Sequence, residues 1–179
     1  DTSVDSHLEL PVVNKGLDEL ESLELIPFEQ AIKKGADVVM VAHILLPALD
    51  STYPASLSKK VVTDILRKQL DFSGVIMTDD MTMEAITDNY QTGPAAVQAV
   101  KAGSDIILVA HRYDQIVKAI EAVKAAVLNG EISEERIDES VERIMKLKQE
   151  YNIEDVNVKQ ANVENLNQMI NDLLNSKAN

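Results

Sequence analysis

Two stretches of this chain nearly repeat each other, and the repeat constrains the fold more than any other feature. Lys33-Lys34-Gly35-Ala36-Asp37 leads into VVMVAH, and Lys101-Ala102-Gly103-Ser104-Asp105 leads into IILVAH. In each, a helix end is stopped by Gly, which accepts the left-handed cap conformation. An Asp follows, and then an apolar run that closes in Val-Ala-His. A looser copy lies between them: SLSKKVVTDILRKQL, then Asp71-Phe72-Ser73-Gly74, then VIMTDD. The apolar runs do not alternate with polar residues, which marks strands buried on both faces by flanking helices.

The repeating unit is therefore helix, Gly turn, buried strand and loop, at the length of ~30 or more residues that a βα unit requires. This spacing predicts an α/β fold of parallel βα units, with strands at residues 37–42, 74–78 and 105–109. Helices fit residues 25–34, 57–70, 94–102, 113–129 and 133–150. Ser56 and Ser58 offer caps for the second helix, and Ser133 caps another whose first turn carries Glu134 and Glu135. Further on, Val163, Leu166, Met169, Ile170, Leu173 and Leu174 fall at helical spacing and predict a terminal amphipathic helix.

Composition narrows the classes of function. A net charge of −13 argues against nucleic-acid binding and against an anionic membrane surface, both of which call for clustered Lys and Arg. With no Cys there is no disulfide, thiolate metal site or Cys nucleophile. Hydrophobic residues make up 45% of the 179, enough for one real core, while aromatics are only 3%. Val, Ile, Leu and Ala must build that core. No apolar run reaches the ~20 residues of a membrane helix, so no membrane span is expected. No secretion signal is visible, and localisation stays open.

Parallel α/β folds carry their sites at the carboxyl ends of the strands. Here those ends read Ala42-His43, Thr78-Asp79-Asp80 and Ala110-His111. Each admits a structural reading, since Asp often caps the next turn and a strand-end His is often an internal donor. Asp and His are metal ligands by type, but their spacing here is too diffuse to define a metal site. Ahead of all this stands DTSVDSHLEL, a polar segment with Asp5-Ser6-His7 and no hydrophobic period. Taken alone, it reads as a solvated terminus.

These residues together resemble glycoside hydrolase family 3 enzymes of the β-N-acetylglucosaminidase type. Asp1-Thr2, Asp5-Ser6-His7 and Leu10-Pro11 match that family's loop. GVIMTDDMTM at 74–83 resembles its nucleophile strand, and PASLSKKVVTDILRKQLDFSG at 54–74 is similar to the helix before that strand. The resemblance implies retaining hydrolysis of terminal β-linked N-acetylglucosamine on a (β/α)8 barrel, through a covalent glycosyl-enzyme. It assigns the nucleophile to Asp79, the general acid/base to His7 and the orientation of His7 to Asp5. His43, at the end of the first strand, becomes the candidate for contact with the sugar. No cofactor and no metal are implied.

The segment Lys-His-Phe-Pro-Gly-His-Gly, which precedes the loop in that family, is absent from this sequence. Residues 1–150 are accordingly read as the carboxyl-terminal half of the barrel, strands six to eight, and residues 151–179 as a helical extension. Such a half should pair with the missing half or with itself, because it leaves sheet edges unpaired. The loop carrying His7 should be mobile, even displaced. The rival readings are an inactive half-barrel or interaction module, a β-glucosidase-like activity, and a glycoside phosphorylase.

Overall fold

A computed structural model describes Thr2, residues 4–153 and residues 161–176. The Gly turns form where the sequence places them. Gly103 ends helix α4 (Thr92–Ala102) at φ 119°, and a Cβ there would lie 2.6 Å from Thr63 Oγ1. That hydroxyl donates to Ala102 O at 2.6 Å, so the turn is tied to the neighbouring helix. Gly74 serves closeness instead: a Cβ would fall 2.3 Å from Asp37 O, the carbonyl that accepts the Val75 N–H at 2.9 Å.

Strands β1 (Val38–Val41) and β2 (Val75–Thr78) pair in parallel, with Val38 opposite Val75 and Val41 opposite Thr78. The expected third strand needs correction. Residues 105–109 run beside β2 in the expected parallel order, but regular pairing is limited to the bridge Met77–Ile106. The cause is a side chain: the Leu108 N–H turns to Thr78 Oγ1 at 3.1 Å instead of to a strand carbonyl. Leu108 O in turn accepts the Met81 N–H at 2.9 Å.

The described helices include α1 (Leu17–Ser22), α2 (Leu25–Lys33), α3 (Glu84–Thr87), α5 (Tyr113–Leu128), α6 (Glu134–Glu150) and α7 (Val163–Ser176). Helices α1 and α3 were not foreseen; at six and four residues they are too short to show a hydrophobic period. Ser133 caps α6 as expected, its hydroxyl accepting the Arg136 N–H at 3.2 Å. The helix expected over 57–70 is in two parts: a 3₁₀ turn at Ala55–Leu57 and a π-wound helix at Lys60–Gln69. Ser58 accepts the Val61 N–H at 3.4 Å and donates to Asp50 Oδ2 at 2.7 Å. Ser56 does not cap that helix, because its hydroxyl is engaged by His43 at 2.6 Å.

The core gathers Val41, Val62, Leu66, Phe72, Ile76 and Ala102 around the sheet, with Leu57, Met81, Ile86, Ala95 and Ala99 beside it. Fully burying a residue such as Ile76 or Ile86 is worth about 1.5–3 kcal/mol, so aliphatic side chains suffice without Trp. Beneath the sheet, the buried Asp105 carboxylate binds Arg67 at 2.8 Å, Arg143 at 3.0 Å and Arg136 at 3.4 Å. It also accepts from Ser140 Oγ at 2.8 Å and from the Ile76 N–H at 2.9 Å, fastening α6 under the strands.

Strand β2 is buried on both faces as its sequence predicts, but β1 is not: Val38 is 41% and Met40 53% exposed. Helix α7 occupies the predicted position with its apolar residues exposed, Val163 and Leu174 among them. No helix among the described residues is long and apolar enough to cross a membrane.

Candidate active site

Asp79 is the first residue after β2, and the pairing of the sheet continues just far enough to place it. Its N–H donates to Val41 O at 3.1 Å, an extension of the β1–β2 ladder. Its half-buried carboxylate receives the Asp80 backbone N–H at Oδ1, 2.8 Å away. One oxygen is thereby engaged by the chain's own backbone, which orients the carboxylate and presents Oδ2.

Asp80 faces into the turn. Its Oδ1 accepts the N–H groups of Ala110 and Thr82, each at 3.0 Å, and its Oδ2 accepts the Thr82 hydroxyl at 2.7 Å. Burial pushes this carboxyl upward, but the hydrogen bonds from Ala110 and Thr82, with the charge of His111, outweigh it. The pKa is held below the usual carboxylate value. Asp80 therefore joins the end of the third run to the end of β2.

His43, at the end of β1, is fully buried. Its Nε2 lies 3.0 Å from Asp80 O and its Nδ1 2.6 Å from Ser56 Oγ. A carbonyl only accepts, so Nε2 carries the hydrogen, and neutral Nδ1 then accepts from the Ser56 hydroxyl. Burial lowers the pKa of this ring and favours the neutral form. Both ring nitrogens are thus taken up inside the protein.

The loop at Asp5–His7 lies against α3, the helix that follows the Asp80 turn. Leu8 N and Glu9 N close a turn on Asp5 O at 2.9 and 3.1 Å, and Ser6 O accepts the Ala85 N–H of α3 at 3.4 Å. Farther along, Leu45 N donates to Pro11 O at 2.8 Å and Val13 N to Leu45 O at 2.9 Å, anchoring the loop's far end. The segment is thus hydrogen-bonded to α3 through Ser6. Asp5 Oδ1 accepts the His7 backbone N–H at 2.9 Å and lies 2.8 Å from His7 Nδ1. The hydrogen bond and charge of Asp5 raise the His7 pKa, and the charges of Asp79 and Asp80 add to this. Asp5 is lowered in turn, first by the His7 backbone N–H and then by the ring.

The structure ties the loop of Asp5 and His7 to α3, near enough for the charges of Asp79 and Asp80 to act on His7, and joins His43 directly to Asp80. Sequence reasoning gave Ser56 only a capping role and missed Thr82 and Asp50. Asp50 accepts from Thr52 N at 2.9 Å, Tyr53 N at 3.1 Å and Ser58 Oγ, fixing the loop after His43. The sequence Asp50-Ser51-Thr52 carried the signal, an Asp placed to bond the backbone two residues on. A groove of about 930 Å³ opens between α3 and the starts of α4 and α5, with Thr82, Asn89, Gln91, Arg112 and Gln115 in its walls; Asp79, His7 and His43 do not line it. Among the described residues, no group of three or more His, Asp or Glu side chains is placed to hold a metal ion.

Parallel strands joined through helices put carboxylates and imidazoles at their carboxyl ends, the face on which α/β folds carry their sites. The chain belongs to glycosyl hydrolase family 3: residues 1–147 match the family's N terminal domain. It is 38% identical over 128 residues to a "Beta-hexosaminidase" of Stenotrophomonas maltophilia (strain K279a), covering 70% of this chain and 37% of that protein. It is 34% identical over 166 residues to "Beta-hexosaminidase A" of Pseudoalteromonas piscicida, covering 83% of this chain and 28% of the relative. Among solved structures, a glycoside hydrolase family 3 beta-N-acetylglucosaminidase from Paenibacillus sp. str. FPU-7 superposes with a TM-score of 0.86 at 46% identity. That match covers 90% of this chain and 31% of the other. The chain therefore spans about a third of the length of the relatives it matches.

Proposed function

We propose that this chain forms the nucleophile-bearing half of a retaining β-N-acetylhexosaminidase that releases terminal β-linked N-acetylglucosamine from cell-wall or chitin-type glycosides. The rest of the barrel, with most of the sugar-binding residues, comes from outside these residues. Residues 1–150 correspond in this reading to strands six to eight, and 151–179 to a helical extension; residues 154–160 and 177–179 of it lie outside the described residues.

In the first step Asp79 Oδ2 attacks the anomeric carbon as the bond to the glycosidic oxygen breaks. His7 gives the proton on its Nε2 to that oxygen, and the leaving group departs as an alcohol. In the second step neutral Nε2 takes a proton from water. The hydroxide attacks the same carbon, the bond to Asp79 breaks, and the carboxylate is regenerated. Throughout, Asp5 keeps a hydrogen on Nδ1, so that proton exchange occurs at the other nitrogen.

The observation that carries this reading is the Asp5–His7 contact of 2.8 Å on a loop hydrogen-bonded to the helix that follows Asp79. The test is to incubate the complete enzyme with an activated aryl N-acetylglucosaminide and digest it after acid quench. A peptide containing Asp79 that carries one N-acetylglucosaminyl unit is the expected product. No labelled peptide, or a label on another carboxylate, would refute the assignment. A phosphorylase is distinguished in the same assay by formation of sugar 1-phosphate in phosphate buffer.

A further inference from the structure

We infer that His43 is a positioning residue for the nucleophile: it clamps the carbonyl of Asp80 so that the Asp80 N–H stays aimed at Asp79 Oδ1. The inference rests on the assignment of Asp79 as nucleophile and replaces sugar contact as the role of His43.

The geometry is a relay of hydrogen bonds, each with its direction fixed. The Ser56 hydroxyl donates to His43 Nδ1 at 2.6 Å, and His43 Nε2–H donates to Asp80 O at 3.0 Å. The Asp80 N–H donates to Asp79 Oδ1 at 2.8 Å. Asp80 is held at its side chain as well, by Ala110 N and Thr82. With its carbonyl and its carboxylate both pinned, the rotations that would swing its N–H away are blocked. The carboxylate of Asp79 is then held in one orientation before any substrate arrives.

Chemistry explains why a neutral imidazole suits this place. A fully buried residue has no water to complete its hydrogen bonding, so each ring nitrogen needs an internal partner. The neutral ring offers one donor and one acceptor, and Asp80 O and Ser56 Oγ match them in that order. An ammonium or guanidinium would instead add a positive charge behind Asp79, stabilising the carboxylate and weakening it as a nucleophile. Ser56 belongs to the 3₁₀ turn Ala55–Leu57, itself packed in the core, so the relay starts from a rigid support.

The test uses the full-length enzyme, with His43→Leu, His43→Gln and His43→Asn assayed on an aryl N-acetylglucosaminide. Gln places its amide nitrogen near the position of imidazole Nε2 and can still donate to Asp80 O, whereas the shorter Asn cannot reach it. His43→Leu should lower kcat on the order of 100-fold with KM unchanged, as misplacement of a reacting group does. The rate of glycosyl-enzyme formation on Asp79 should fall in parallel, and His43→Gln should recover most of it. Should His43→Leu fail to fold, the Gln and Asn pair decides: Gln active and Asn impaired supports the relay, equal activity overturns it. A raised KM with unchanged kcat would make His43 a sugar ligand and overturn the inference. The nucleophile assignment has its own control: full activity in Asp79→Asn sinks that reading. An inactive Asp79→Asn beside a fully active His43→Leu sinks only the relay.

Discussion

The Asp80 backbone N–H lies 2.8 Å from Asp79 Oδ1, so the residue that follows the proposed nucleophile also orients its carboxylate. The two neighbouring carboxylates consequently have separate duties. Asp79→Asn keeps the shape and removes the attacking charge, and should cost at least about 4 kcal/mol of transition-state stabilisation, on the order of a thousandfold in kcat. Asp80→Asn keeps an oxygen for Ala110 N and Thr82 N but cannot accept the Thr82 hydroxyl. Its loss should be about tenfold, the worth of one hydrogen bond to a charged group. Steady-state kinetics on an aryl N-acetylglucosaminide separates the two, and equal losses would contradict the division of roles.

His7 and Asp5 make a pH prediction with a definite sign. Asp5 raises the His7 pKa, keeping the imidazole protonated, and able to act as an acid, to higher pH. Asp5→Asn removes that support, so the alkaline limb of kcat/KM should move to lower pH. His7→Ala should slow substrates with poor leaving groups most, because an activated phenolate departs without a proton. Rates across pH 5 to 9 on good and poor leaving groups check both statements. Wild-type rates for His7→Ala on a poor leaving group would return the segment to a solvated terminus.

Asp105 predicts a stability effect away from the site. Its carboxylate is buried and faces Arg67, Arg136 and Arg143, all largely sheltered from water. Asp105→Ala would leave three cations without their shared counter-ion and should cost about 3–5 kcal/mol, the usual result of breaking a buried pair on one side. Urea unfolding monitored by circular dichroism measures it. A loss below about 1 kcal/mol, the worth of an exposed pair, would show the cluster to be ornamental.

The chain by itself should associate. Val38 and Met40 of β1 are about half exposed, as are Phe28 and Ile26 of α2, where a parallel sheet would ordinarily be covered. Light scattering at rising concentration should show dimers or larger species for these 179 residues, and under the proposed half-barrel reading hydrolysis should appear only when the remainder of the barrel is supplied. A monodisperse and fully active monomer would contradict this.

What the sequence determined is what depends on neighbours along the chain. The Gly35 and Gly103 turns, the Ser133 cap and the β1 and β2 runs are local, and so is the Asp5–His7 dyad, whose partners are two residues apart. The placement of Asp79 at a strand end was legible for the same reason: an apolar run simply stops there. Tertiary structure alone decided what depends on distant partners. His43 reaches Ser56 13 residues away and Asp80 37 residues away, so no pattern along the chain distinguishes a ligand-binding imidazole from one buried between two strand ends. The third run pairs at one bridge because a Thr78 hydroxyl 30 residues earlier takes the Leu108 N–H that a longer strand would have used. Asp105 looks in sequence like one more turn former before a strand, and becomes the anchor of α6 only when folding brings three arginines onto it. Hydrogen-bond partners, not residue types, set these roles, and partners are chosen by the fold.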